Sequence, residues 1–383
     1  QMCIRDSFPA VLDFGFDGAA KQFASASLAT DSLRDFFASD DWYTDADSNA
    51  HQLVKFIGNH DIGRLGFDID TTNPGASDAV RVARVELAYA LSYLTRGIPL
   101  VYYGDEQGFV GDGGDKDARQ DMLPSVVASY NDDDLIGTGA TTAEANFDQA
   151  HPLYVTLAEL SAVRDAHPAL SQGAQLHRYS QDTAGIYAFS RIDRDEQIEY
   201  LVVLNNAEGT ATASFTTASP GATFTEVYPG GGPGITSDAG GAVSVAVPGL
   251  DFIVYRADAP IPATTVTGVT LTTPPDGATV AGRVEVGADV GGTGLIETTF
   301  SVSVDGGPFE VVGTDDNAPF RVFYDVTGLP LGTALTFAAS AADGGGVWTD
   351  EVAVTVGEET PPAEGLPYAV IHYSRDDGDY GDH

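Results

Sequence analysis

Residues 56–61 read Phe56-Ile57-Gly58-Asn59-His60-Asp61, and residues 97–108 read GIPLVYYGDEQG, closing on Gly104-Asp105-Glu106-Gln107-Gly108. Each is a short apolar run that stops at a polar turn, the pattern of a strand buried on both faces. Between them Val80, Ala83, Leu87, Leu91 and Leu94 recur in three- and four-residue steps, the period of a helix. Strand, helix and strand within about 40 residues is the spacing of a parallel crossover unit. In a parallel β/α barrel the functional groups lie beyond the carboxyl ends of the strands. Asn59, His60 and Asp61 would then face the same hollow as Gly104-Asp105-Glu106. Taken alone, the first triplet also reads as a solvated loop or as a structural histidine.

Working outward, residues 53–57 form an apolar run, and a second helix is marked by Leu153, Leu157, Leu160 and Val163. It should end before His167-Pro168, because proline biases the preceding residue away from helix. Residues 8–172 therefore read as α/β. From residue 173 the texture changes to short alternating strands, among them GIYAFS from Gly185, YLVVLN from Tyr200, TFTEVY from Thr223 and DFIVYR from Asp251. Residues 173–258 are predicted to form a β-sandwich, 259–265 a linker, and 266–357 a second all-β module with PPDG, DGG and DGGG turns. Residues 358–365 read as an acidic, proline-containing linker, and 366–383 as the start of a strand that stops in mid-domain. Residues 1–7 (QMCIRDS) read as a non-native leader, which would place Cys3 outside the natural protein.

Composition narrows the partners. The 383 residues include 18 basic and 56 acidic ones, a net charge of −38 that repels phosphate backbones and anionic lipid heads. Nucleic acid and membrane surfaces are poor partners for such a chain. The acidity suits a strongly hydrated surface in salty surroundings and equally suits plain solubility. One cysteine permits no intrachain disulfide, and the seven histidines lack the clustering of a zinc site. No run of about 18 apolar residues is present for a membrane span. The first residues carry no signal-peptide pattern.

The two strand ends together resemble the α-amylase family of glycoside hydrolases, in which FxxNHD closes the seventh barrel strand and GxPxxYYGxE the eighth. Residues 8–16 (FPAVLDFGF) look like the sixth strand. The resemblance implies a multidomain fold: a partial TIM-type (β/α)8 barrel holding its C-terminal strands 6–8, then an all-β sandwich and an immunoglobulin-like β-sandwich. It assigns His60 and Asp61 to the sugar ring at the cleavage subsite, with Asp61 as the transition-state stabiliser. Hydrogen bonds that strengthen as the ring flattens lower the barrier, since only differential binding accelerates a reaction. Asn59 is carried with the substrate-binding set, although shaping the turn is its more natural role. Residues 113–119 (GGDKDAR) resemble the loop after the eighth strand, which assigns Asp115 and Arg119 to the neighbouring glucose unit. A surface ion pair is the other reading of those two residues.

Retaining glycosidases need two carboxyl groups about 5 Å apart, a nucleophile and an acid/base. In this family they follow the fourth and fifth strands, which would precede residue 8, so the chain is expected to be inactive alone. The expected parent is a secreted, extracellular hydrolase of starch, glycogen, pullulan or maltodextrins. A non-catalytic glucan-binding scaffold and a transglycosylase are the alternatives. No cofactor is required by the chemistry, and calcium enters only through the full-length enzyme. Residues 112–121 do not reproduce the EF-hand template and read as a solvated acidic loop. The module over 266–357 resembles the immunoglobulin-like repeats of modular carbohydrases, which space or orient other domains. The segment 368–380 (YAVIHYSRDDGDY) resembles the first strand of a pullulanase-type carbohydrate-binding domain, from which Ser374 and Asp377 depart.

Overall fold

Three short strands, β1 (Leu12–Asp13), β2 (Val54–Lys55) and β3 (Ile98–Pro99), lie parallel and in chain order, with Val54 paired to both Leu12 and Ile98. The structure is a computed structural model and describes residues 11–358. The readings of residues 1–7 and 366–383 fall outside those residues. Between β1 and β2 run α1 (Phe14–Ala24) and α2 (Asp31–Phe37); between β2 and β3 run α3 (Leu65–Thr72) and α4 (Asp78–Leu94). Residues 14–16, read as strand, instead open α1, because the Asp13 carboxylate accepts the Phe16 amide at 3.0 Å and caps the helix. The helix expected at Leu153 is α5 (Pro152–Ala166), with His151 as its cap and proline in its first turn.

The run at residues 53–57 is not wholly apolar. Lys55 is fully buried, and its Nζ donates to the carbonyls of Ser92 and Thr95 and to Thr95 Oγ1 at 2.9 Å. It thus satisfies the carbonyl end of α4, where a cation is favoured. Burial, reinforced by Arg96, Arg164 and Arg191, pushes its pKa well below the usual lysine range. Arg96, at the α4–β3 junction, is likewise buried. It donates to Asp13 at 2.6 Å and to Asp40 at 2.7 Å, so one guanidinium ties β1, the segment before β2, and β3 together. With Arg64, Arg84 and Arg191 these are five basic side chains in the interior.

The next unit contains β4 (Ala174–Tyr179), β5 (Ile186–Ile192), β6 (Ile198–Asn205), β7 (Ala211–Thr216), β8 (Thr223–Tyr228), β9 (Ile235–Thr236), β10 (Ala242–Val247) and β11 (Asp251–Pro260). Six form a sheet in the order β4-β5-β6-β11-β8-β9, and β7 pairs with β10. Strands β5 and β6 are buried at every position rather than alternating. One face packs on the helices, where Tyr187, Phe189, Val202 and Leu204 share a core with Phe16, Leu87 and Leu91. The other face packs on β7 and β10 through Leu201, Val203, Phe215 and Val245. Burial on both sides removes the period-two signal.

The last unit contains β12 (Thr265–Thr273), β13 (Thr279–Val280), β14 (Arg283–Thr293), β15 (Thr298–Val304), β16 (Glu310–Asp315), β17 (Phe320–Asp325), β18 (Ala334–Asp343) and β19 (Gly346–Val356). Two sheets, β12-β14-β17 and β13-β19-β18-β15-β16, enclose its own core around Val286, Phe300, Val322 and Phe337. The stretch 259–265 is less free than a linker. Strand β11 extends to Pro260, Ile261 is buried against Leu295, and its amide bonds the Gln197 carbonyl at 2.8 Å. The module is further clamped beneath the parallel strands. Trp42 stacks on Phe323 with centroids 3.7 Å apart, Arg321 Nε meets Asp41 at 2.7 Å, and Arg194 grips Glu297 and Asp316. Gly313 lies close against this seam, where a Cβ would come 2.8 Å from Thr44 Cγ2 and force the contact to shift.

Candidate active site

At the carboxyl end of β2 the chain turns back on itself, with Asn59 bridged to Gly63. Asn59 Oδ1 accepts the amides of Asp61 at 2.8 Å and Ile62 at 3.0 Å. The Asn59 side-chain oxygen is therefore spent on the turn, as short polar side chains at such positions commonly are. His60 and Asp61 are lifted outward by that turn, with side chains 59% and 65% exposed and His60 Nε2 3.4 Å from Asp61 Oδ1.

The loop that follows β3 comes back to meet them. The Asp115 amide donates to the Asp61 carbonyl at 3.2 Å, and Arg119 Nε donates to the His60 carbonyl at 3.2 Å. Arg119 Nη2 lies 2.6 Å from Asp115 Oδ1 and 3.5 Å from Asp61 Oδ1. Asp115 has a φ of 52°, a left-handed conformation that aspartate tolerates better than most residues. Gly63 and Gly114 permit the close approach of the two segments: a Cβ on Gly63 would lie 2.7 Å from the Gly113 carbonyl. His60, Asp61, Asp115 and Arg119 thus form one open, charged cluster. Such a surface can offer donors and acceptors in several directions to a polyhydroxylated ligand.

The acidic residues at the end of β3 point elsewhere. Asp105 is buried between Arg64 Nη1, at 2.7 Å, and the Tyr89 hydroxyl, which donates to it. Burial raises its pKa, against the pull of Arg64 and Tyr89, and burial, reinforced by the contact with Asp105, pushes the Tyr89 pKa well above the usual phenol range. Glu106 turns back to accept the Gly104 amide at 2.8 Å. These bonds occupy both carboxylates in holding the turn.

Three further acids were not legible as a group. Asp112, Asp132 and Asp133 bring carboxylate oxygens within 4.8 Å of one another. Burial and its two neighbours push Asp133 up to about 6, and its Oδ2 is shielded without a hydrogen-bond partner. Oxygen donors of this kind suit a hard cation. Residues that the sequence reading missed altogether are Arg64, Gln120 and Tyr89, which lie beneath the exposed cluster; nothing in their spacing marks them.

Residues 5–181 match the family model described as α-amylase, catalytic domain. An α-amylase from Streptomyces lividans is 43% identical over 338 residues, covering 88% of this chain and 36% of that protein. A cyclomaltodextrin glucanotransferase from Bacillus licheniformis is 27% identical over 241 residues, covering 62% of this chain and 28% of that protein. An Anoxybacillus α-amylase structure superposes with a TM-score of 0.51 at 20% identity, over 67% of this chain and 49% of that one, a likeness of fold. The chain thus spans about a third of the length of the two curated relatives. Parallel strands ending in a His60-Asp61 turn and the match over residues 5–181 lead to one conclusion: through that region the chain belongs to the α-amylase catalytic-domain family of glycoside hydrolases.

Proposed function

We propose that this chain is the later part of a retaining α-glucan hydrolase, with β1, β2 and β3 as the sixth, seventh and eighth staves of its barrel. The observation that carries the reading is the convergence of His60 and Asp61 from one strand end with Asp115 and Arg119 from the next. Asp61 accepts hydroxyl hydrogen bonds from the glucose ring at the scissile bond, and these tighten as the ring flattens toward an oxocarbenium ion. His60 donates to the same ring. Asp115 and Arg119 hold the adjacent glucose, while Asn59 keeps the turn in shape. The nucleophile and the acid/base come from residues outside this chain, so it binds glucan without cleaving it. Starch, glycogen, pullulan and maltodextrins are the ligands, and the parent enzyme is secreted.

No cofactor takes part in the sugar chemistry. In the longer protein calcium is structural, and among the described residues Asp112, Asp132 and Asp133 would hold it. The likeness to a glucanotransferase supports a second reading, in which the same site passes the glycosyl group to another sugar instead of water. The unit over 266–357 is an immunoglobulin-like module.

The test is calorimetric titration of the purified chain with maltoheptaose, beside a reducing-sugar assay on soluble starch. Binding that weakens about tenfold or more in Asp61→Asn, with no starch hydrolysis, is expected, since a hydrogen bond to a charged group is worth about 1.5–3 kcal/mol. Turnover by the chain alone, or unaltered affinity in Asp61→Asn, would overturn the reading.

A further inference from the structure

The four exposed residues of the cluster do little to hold one another. Their mutual bonds lie in water, where ion pairs are screened and worth little. Besides the bonds to the Asp61 and His60 carbonyls, the two segments that carry them are joined underneath by a buried side chain. Arg64 directly follows the turn at residues 59–63 and is completely buried. Its Nε donates to Gln120 Oε1 at 2.8 Å, and its Nη1 donates to the Tyr103 carbonyl at 2.8 Å and to Asp105 Oδ1 at 2.7 Å. The guanidinium carbon lies 4.3 Å from the Tyr102 ring centroid and 5.1 Å from that of Phe109. Gln120 is itself buried and is the neighbour of Arg119 in the chain. One guanidinium therefore touches the end of β3 and the base of the Asp115–Arg119 loop from the base of the His60-Asp61 turn.

We propose that Arg64 is a positioning residue: without meeting the sugar, it locks the turn that presents Asp61 against the loop that presents Arg119 and so sets the spacing of the glucan site. The proposal rests on the glucan reading above for the purpose of that spacing. Only a planar fork reaches these three acceptors at once, so lysine is no substitute. The left-handed backbone at Asp115 fits the same picture, since sparsely populated conformations persist only where the surroundings over-determine them.

Two readouts on the full chain test it, one of them independent of sugar. In Arg64→Met, hydrogen exchange at the Asp115 amide, which is bonded to the Asp61 carbonyl, should accelerate about tenfold or more while exchange over residues 266–356 stays unchanged. Maltoheptaose binding should weaken, and adding Arg119→Ala should cost much less than it does in the parent, because coupled sites are not additive. Arg64→Lys should resemble Arg64→Met. If Arg64→Met does not fold, Gln120→Met, which removes one arm of the network, must still speed Asp115 exchange. Unchanged Asp115 protection in a folded variant, or fully additive losses with Arg119→Ala, would overturn the proposal. Faster exchange combined with no maltoheptaose binding by the parent chain would uphold the locking role and overturn the glucan reading.

Discussion

Replacing Arg96 by methionine should be the most damaging conservative change in the chain. The side chain is buried, stacked near Phe36 and Phe37, and bonded to Asp13 and Asp40. Methionine fills most of the volume, so the packing loss is small and the electrostatic loss dominates. Asp13 Oδ1 keeps its capping bond to Phe16, but Oδ2 loses its partner inside the protein, and so does Asp40. Removing one member of a buried ion pair costs about 3–5 kcal/mol. Lys55 limits the damage: Arg96 is one of the charges that depress its pKa, so its removal lets Lys55 hold a proton beside Asp13 more easily. The lower end, about 3 kcal/mol, is therefore expected, which for a unit of this size means a fall in melting temperature of about 6–12 °C. Differential scanning calorimetry reads it directly. Added salt should not erase the difference, because a pair sealed from solvent is barely screened. A transition within about 2 °C of the parent would refute the reasoning.

The clamp beneath the strands should open when its aromatic core is removed. Trp42→Ala together with Arg321→Ala is expected to split one calorimetric transition into two and to increase the radius of gyration by small-angle scattering; an unchanged profile would mean the remaining contacts suffice. Burial outweighs the attraction of Arg321 and pushes Asp41 up to about 6, above its ordinary 3.8. The folded state then binds a proton more readily than the unfolded state, so the contribution of Asp41 to stability falls as pH rises from about 4 to 6 and is flat above that. Melting temperature measured across that range should show a shallower decline in Asp41→Asn than in the parent, and identical slopes would exclude the assignment. Millimolar calcium should raise the melting temperature of the parent and not of Asp133→Asn, whereas equal shifts in both would put the ion elsewhere.

The functional surface was readable because it depends on short, local patterns. An apolar run that breaks at Asn59-His60-Asp61, and another at Gly104-Asp105-Glu106, announce strand ends without knowledge of what they touch. The support under that surface was not readable. Arg64 finds Asp105 and Gln120 at separations of 41 and 56 residues, and Arg96 finds Asp13 at 83. A buried charge is indistinguishable in sequence from a surface one until its partner is known. Lys55 was hidden for a related reason, since one lysine in an apolar run looks like a strand edge rather than the cap of a distant helix. The two central strands of the middle unit lost their alternation because both faces are covered. The stretch 259–265 has linker composition, yet Ile261 finds a pocket that composition cannot foresee.

The interior placement of Lys55, Arg64, Arg84, Arg96 and Arg191 separates two kinds of charge in this molecule, sealed and exposed. Only 18 basic residues exist to offset 56 acidic ones, and these five lie under the surface. Five acidic side chains, Asp13, Asp41, Asp105, Glu199 and Asp315, are buried as well, so the whole acidic excess of the chain faces the solvent, and it must gather a dense cloud of mobile cations. Concentrated brine then relieves the crowding of like charges outside while leaving the sealed guanidinium contacts intact, because screening acts over about 10 Å of water and hardly at all through protein. The same arrangement that looks like a burden in dilute buffer becomes an advantage where salt is plentiful.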